Sequence, residues 1–554
     1  MSTAGGSVAV GANPTFLAMA KLRRVIPRAR PARLICVAAL AAAAAAACSS
    51  GAASTAQAST AQASTAAQPG TAQSSSVQAS ISWGACPPLA AGATRNPREK
   101  CGTVTVPLDY RHPGGKTIRI EVSEIATAKP GHMRGYLLLN PGGPGLEGLD
   151  MPSTMAPALP ASVLNEYDLI GFDPRGVGHS TPMSCGLPAS SINAVFPYPA
   201  ANGSIEQNVA LARTVASDCA RIGNELQYFT TANTARDMDR IRIALGVEKI
   251  SYWGQSYGTY LGSVYTSLFP QHTDRMVLEG NVDPNDVWSQ ETTLWNQGMV
   301  QHFPDAARIA AADHAQLGLG RTVAQVTRTY LALARHLDVT PAAVPGTQAA
   351  ITGAELRDVT YQLLLHNSTL APLTEFWKAA ADLAAGKPLT ATDKAVLQQV
   401  LANSPAEPGV PQDNQVTMFM ALVCGDVAWS RDVTAYATAT AASRAKFPLT
   451  DGMPDNIVPC AFWSKAPIEP PVKVTSHGPR DILLLQNERD SATPWAGALG
   501  LAQALGSRAG FVGVDNGGHY VYGVGSSCAD RATVAFLTKG IVPAKPLSCP
   551  APTS

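Results

Sequence analysis

The pentapeptide Gly254-Gln-Ser256-Tyr-Gly258 constrains this chain more than any other stretch. It separates a short apolar run, Lys249-Ile-Ser-Tyr-Trp253, from a segment with helical spacing, Tyr257 to Phe269. A strand that turns sharply into a helix brings the two backbones so close that the residues flanking the turn must lack side chains. Glycine at 254 and 258 meets that need, and the turn then thrusts the Ser256 hydroxyl out at the edge of a sheet. The plainer reading is a glycine-softened turn carrying a surface serine. The flanking strand and helix favour the reactive one.

The rest of the chain agrees with a sheet of this kind. Gly102-Thr-Val-Thr-Val-Pro and Thr117-Ile-Arg-Ile-Glu-Val alternate with period two and predict an antiparallel opening. Tyr136–Asn140, Tyr167–Phe172 and Arg275–Glu279 are short apolar runs suited to buried parallel strands. Asn233 to Gly246 and Tyr257 to Phe269 have helical spacing. Between about 285 and 470 the pattern becomes helical throughout, at 326–337, 354–365, 373–384 and 394–401, with no strand signal between. Strands resume at Asp481–Leu485 and Gly510–Val514, predicted as the last two of the core. The fold class is therefore α/β: a mostly parallel sheet with helices on both faces, interrupted by a large helical insertion. The domain reading is core at 81–284, helical cap at 285–470 and core again at 471–554. An insertion there would overhang the carboxyl ends of the strands, where open α/β sheets bind ligands.

A serine hydroxyl is a weak nucleophile near neutral pH and needs a base, itself oriented by an acid. On this architecture the order along the chain is serine, acid, histidine. Asp490, in the loop after Asp481–Leu485, and His519, behind Asn516-Gly-Gly, both follow strands and fall at the same sheet edge as Ser256. Glu488 is a rival acid two residues earlier. The backbone N–H groups of Tyr257 and Gly143 are the candidate oxyanion donors. Gly143 lies in Asn140-Pro-Gly-Gly-Pro-Gly145, a glycine-rich loop after an early strand. That loop also contains a G-x-G-x-x-G (Gly143, Gly145, Gly148), but Pro144 removes a donor and the motif does not open the first βα unit. Dinucleotide binding is the weaker reading.

The first 48 residues read as an export signal. Lys21, Arg23, Arg24, Arg28, Arg30 and Arg33 precede a 14-residue apolar run ending at Ala47, too short to span a bilayer. Met19 is an alternative start, and Arg23-Arg24 followed by Val-Ile-Pro fits a twin-arginine signal poorly. Ala45-Ala46-Ala47-Cys48 resembles a bacterial lipobox without its usual leading leucine. Lipidation of Cys48 would then tether the protein to a membrane; ordinary cleavage beside an incidental cysteine is the alternative. Ala53-Ser-Thr-Ala-Gln57 and its repeats mark 49–80 as a flexible spacer. Without the six basic residues of the leader the chain holds 35 basic against 40 acidic residues, which argues against nucleic acid as a partner.

Eight cysteines follow the leader: Cys86, Cys101, Cys185, Cys219, Cys424, Cys460, Cys528 and Cys549. No Cys-x-x-Cys occurs, so metal and redox motifs have little support. In an exported chain disulfides between neighbours in sequence are expected, each closing a short loop, with free buried thiols as the alternative.

Together these stretches resemble the α/β-hydrolase fold, and in particular the secreted tripeptidyl aminopeptidases of actinomycetes, relatives of prolyl aminopeptidases. The resemblance rests on Cys101–Tyr110, Asn140–Gly145, Asp173-Pro-Arg-Gly-Val-Gly-His-Ser180, Thr231–Asp237, Tyr252–Tyr260, Asp490–Pro494 and Gly518-His519. It implies a serine hydrolase with Ser256 as nucleophile, Asp490 as orienting acid and His519 as base, requiring neither metal nor organic cofactor. It also implies a helical cap and a peptide substrate with a free N-terminus. Asp173 and Arg175 are expected to brace the loop beneath Ser256. One departure is Leu146-Glu147-Gly148, where such proteins usually continue Gly-Ser-Gly. Glu147, whose plainer reading is an ion pair with a surface base, and Asp426 in Cys424-Gly-Asp are the candidate partners for the substrate's amine, since burying an ammonium unpaired is costly. An ester or lipid hydrolase with the same three residues, and a silent peptide-binding surface protein, remain alternatives. The expected location is outside the cytoplasm, in either the secreted or the lipid-anchored form.

Overall fold

Leu137, Leu138 and Leu139 are consecutive and all fully buried, yet they face different neighbours. Leu138 packs with Ile170, Tyr252, Leu278 and Leu484 in one apolar cluster. Leu137 and Leu139 pack with Leu169, Trp253, Val277, Leu483 and Leu485 in another. Successive strand residues point to opposite faces, so a continuous apolar run means that both faces are covered. The computed structural model, which describes residues 80–552 apart from 193, 194, 348 and 402–406, accounts for this directly. The predicted leader, Cys48 and nearly all of the predicted spacer lie outside the described residues.

The strands in chain order are β1 (Lys100–Pro107), β2 (Thr117–Ile125), β3 (Gly135–Asn140), β4 (Tyr167–Phe172), β5 (Ile250–Gln255), β6 (Thr273–Glu279), β7 (Ala342–Ala343), β8 (Ala350–Ile351), β9 (Ile482–Arg489), β10 (Ala509–Gly517) and β11 (Leu547–Cys549). Nine of them form one sheet in the order β1-β2-β4-β3-β5-β6-β9-β10-β11. β2 runs antiparallel to β1 and to β4; from β4 to β11 every neighbouring pair is parallel.

Two features differ from the sequence reading. The core does not end at β10, because β11 adds an edge strand parallel to it. Three residues are too few to show a period, and Cys549 is held there by its disulfide to Cys528. The helical stretch also contains a small antiparallel hairpin, β7 with β8, whose two-residue strands carry no pattern.

The helices between β6 and β9 include Ser289–Ala312, Val323–Val339, Gly353–Leu363 and Leu370–Ala384. They close around an apolar core of their own, with Phe303, Tyr330 and Trp377 in mutual ring contact and Leu337, Leu373 and Phe376 fully buried. The later helix Asn414–Asp426 instead packs into the main core through Met418, Met420 and Leu422. Disulfides join Cys86–Cys101, Cys185–Cys219, Cys424–Cys460 and Cys528–Cys549, the nearest-neighbour pairing. Among the described residues no helix is long and apolar enough to cross a membrane.

Candidate active site

Ser256 sits between the end of β5 and the helix Tyr257–Leu268 with φ 56° and ψ −127°. A non-glycine residue held there costs on the order of 1–3 kcal/mol and persists only where the surroundings enforce it. They do so from both sides. The Ser256 N–H donates to the Glu279 carbonyl at 2.9 Å, and the Ser256 carbonyl accepts from Thr259 N–H at 2.8 Å and Thr259 Oγ1 at 2.7 Å. The flanking glycines are required because a Cβ on Gly258 would lie 2.8 Å from Asn140 Oδ1, and one on Gly254 would lie 2.6 Å from the Gly258 carbonyl carbon.

His519 follows β10 and is buried. Its Nδ1 lies 2.9 Å from Asp490 Oδ2 and 3.1 Å from Oδ1. Asp490 is fully buried in the loop after β9. It also accepts from the N–H groups of Ala492 and Thr493 at 2.8 and 2.9 Å, and from Thr493 Oγ1 at 2.8 Å. These donors fix the carboxylate's direction and leave His519 Nε2 as the nitrogen the contact does not use. Glu488, the rival acid, is exposed on β9. The His519 N–H donates to the Leu365 carbonyl at 2.8 Å, so a residue of the inserted helical region holds this loop.

Gly280 makes room for the imidazole: a Cβ there would fall 3.0 Å from Cε1 and 3.1 Å from Nδ1. Its neighbour Glu279 is a residue of the site's framework that the sequence reading missed. Buried completely, it accepts from Trp253 Nε1 (3.0 Å) and Gln255 Nε2 (2.7 Å) on one oxygen. The other oxygen takes the backbone N–H groups of Val521 and Tyr522, both at 2.7 Å. The available signal was a charged residue ending the otherwise apolar run Met276-Val-Leu.

The glycine-rich loop lies across from the serine. A Cβ on Gly142 would be 2.8 Å from Ser256 Cβ and 3.1 Å from the Tyr257 nitrogen, and both Gly142 and Gly143 have positive φ. Far from opening a helix for a nucleotide, the loop is pressed against the helix Asn414–Asp426. A Cβ on Gly145 would meet the Gln415 carbonyl at 2.7 Å. Asp173 holds the loop's far end, accepting N–H groups from Gly148, Leu149 and His179 at 2.9, 3.0 and 2.8 Å. Burial pushes its carboxyl up to about 7. Arg175, also buried, makes a paired contact with Asp237 at 2.7 and 2.6 Å and caps the carbonyls of Leu108 and Tyr228.

Ser256, His519, Tyr257 and Gly143 line one cavity of about 310 Å³. Its walls are largely aromatic, with Phe196, Trp288, Trp295, Tyr361, Phe419 and Trp429 among them. Its charged lining is one-sided. Glu147, Asp150, Glu291 and Glu407 contribute carboxylates, and no Lys or Arg stands among the described lining residues. Glu147 thus lines the cavity. Asp426 does not, which corrects its assignment as an amine partner. Its carboxylate is spent on Thr231 N–H (2.8 Å), Thr231 Oγ1 (2.6 Å) and Trp288 Nε1 (3.3 Å), and it borders a separate small cavity.

Comparison with known proteins agrees with this geometry. The family model described as the alpha/beta hydrolase fold matches residues 135–526. The tripeptidyl aminopeptidase of Streptomyces lividans is 34% identical over 85% of this chain and 87% of its own. Carboxylesterase B of Mycobacterium tuberculosis is 31% identical over 84% and 89%. Serine protease Hip1 of the same organism is 28% identical over 85% and 91%. A strained serine on a glycine-flanked elbow, with an aspartate-bound histidine in the same cavity, joins these relatives to a single conclusion: the chain belongs to the α/β-hydrolase family, as a serine hydrolase related to the tripeptidyl aminopeptidases.

Proposed function

We propose that this protein is an exported serine exopeptidase that removes short peptides from free N-termini through an acyl-enzyme. Ser256 Oγ attacks the scissile carbonyl carbon while His519 Nε2 takes its proton, then returns that proton to the departing amine. Asp490 holds the imidazole through Nδ1 and stabilises the imidazolium. The N–H groups of Tyr257 and Gly143 receive the oxyanion. Water then repeats the sequence on the ester and frees Ser256. The carrying observation is the cavity lining: Ser256 faces a chamber whose described lining residues include four carboxylates and no Lys or Arg, which suits a substrate bearing an ammonium.

Peptides with unblocked N-termini should be cleaved and their N-acetylated forms should not. Equal rates on both would refute the exopeptidase reading. An ester-hydrolase reading is favoured by the aromatic walls and by the likeness to a protein named carboxylesterase B; short-chain esters turned over faster than any free peptide would establish it. Failure of a fluorophosphonate to label Ser256 would leave only the silent binding protein.

Four disulfides and the basic-then-apolar leader support action outside the cytoplasm. Acylation of Cys48 would anchor the protein there, and mass spectrometry of the mature N-terminus distinguishes an acylated cysteine from a free end.

A further inference from the structure

The four carboxylates of the cavity are not equivalent. Glu407 lies 3.3 Å from His179 Nε2, in an ion pair. Glu147 and Asp150 are engaged by neighbours. Glu291 differs from all three: it is 4% exposed, and among the described residues neither of its carboxylate oxygens has a hydrogen-bond partner. It stands in the first turn of the helix Ser289–Ala312, at the wall of the chamber that Ser256 opens into.

A buried carboxyl without partners is expensive, by several kcal/mol if it is charged. The charged groups that act on it most make this worse, since Asp283, Asp286 and Asp490 are all acids. The backbone N–H of Asp283 softens the effect without reaching hydrogen-bond geometry. Burial and these neighbours push the Glu291 pKa well above the usual carboxylate range. What would satisfy both oxygens at once is a cation rich in N–H donors. An alkylammonium fits, and its charge would also offset the surrounding acids.

We propose that Glu291 is the amine anchor of the cleft, pairing with the α-ammonium of the peptide's first residue and so setting how far from the N-terminus the chain is cut. This rests on the exopeptidase reading above. The same chemistry could be offered by a lysine side chain, and the test separates the two sources. The anchor role also accounts for a buried carboxyl in the chamber wall whose oxygens have no hydrogen-bond partner among the described residues, whereas the other acids of the cavity are engaged.

The experiment compares kcat/KM of the full-length wild type and Glu291→Gln on one peptide in free and N-acetylated form, and on the same pair with an internal norleucine replaced by Lys. Fluorophosphonate labelling of Ser256 and thermal unfolding report folded, competent enzyme; Glu291→Ala serves if Glu291→Gln does not fold. The expected result is a wild-type preference for the free amine that falls at least tenfold in the variant, chiefly through KM, with product lengths becoming mixed. A folded variant that keeps the wild-type preference and product length overturns the anchor while leaving the exopeptidase reading intact. A wild type indifferent to acetylation overturns that reading and the anchor with it. Loss confined to the Lys-containing peptides overturns the assignment to the N-terminus.

Discussion

The Glu279 carboxylate accepts the backbone N–H of Val521 at 2.7 Å, two residues beyond His519. The same residue's carbonyl accepts the N–H of Ser256 at 2.9 Å. One buried side chain at the end of β6 therefore ties the loop of the proposed base to the turn of the proposed nucleophile. Those residues are separated by more than half the described chain. Glu279→Gln leaves one oxygen for four donors and turns an NH₂ toward N–H groups. The expected effect is a fall in kcat of about 10–100-fold, the size seen when groups behind a reactive residue are lost, with KM little changed. Steady-state kinetics together with the rate of fluorophosphonate labelling check it; a fall in stability with unaltered kcat would mean that Glu279 acts only structurally.

Ser256→Ala should lower turnover by at least about 10⁴-fold while the protein remains folded. Ser256→Gly should do the same and be more stable than Ser256→Ala by about 1 kcal/mol. Glycine adopts φ 56° without strain, and the relief exceeds its extra chain entropy. Denaturant unfolding of the two variants measures the difference.

Gly142→Ala places a methyl against Ser256 Cβ and the Gln255 carbonyl at φ +91°. Either the glycine-rich loop or the elbow must retreat. A stability loss of about 2 kcal/mol or more is expected, together with a drop in kcat if the proposed oxyanion donors, the N–H groups of Gly143 and Tyr257, are moved apart. Thermal unfolding and steady-state kinetics test both.

Burial raises Asp426 to about 6 from an ordinary 3.8. The folded state thus holds that proton more readily than the unfolded chain. The contribution to stability is fully present below pH 3.8 and is lost as pH rises through about 6. Two pH units correspond to roughly 3 kcal/mol. Relative to Asp426→Asn, which does not titrate, the wild type should gain stability on going from pH 7 to pH 4, as read from urea unfolding at each pH.

Much of the sheet was legible because its strands are buried on both faces, and a run such as Leu137-Leu-Leu139 has no other comfortable place. The elbow was legible for a local reason: two glycines with three residues between them, Gly254 and Gly258, mark a turn that only close backbone contact explains. The edge strand β11 and the hairpin of β7 with β8 were not, since two or three residues show no period and are held by neighbours.

The cap's acids mark the boundary of what pattern can reveal. Asp426 and Glu291 both lie in helices, and nothing in the local sequence says which of them faces the cavity. Asp426 is satisfied by Thr231, 195 residues away, and by Trp288, 138 residues away. Glu291 meets no such donor and borders the cavity. The amino-acid order alone determined which backbone segments become strands, where the chain must turn tightly, and which three side chains reach one edge. Only the packed molecule decided which carboxyl is consumed in holding the fold and which is left facing the chamber. A side chain's hydrogen-bond partners come from remote segments, and their arrival depends on the whole tertiary arrangement rather than on any local period.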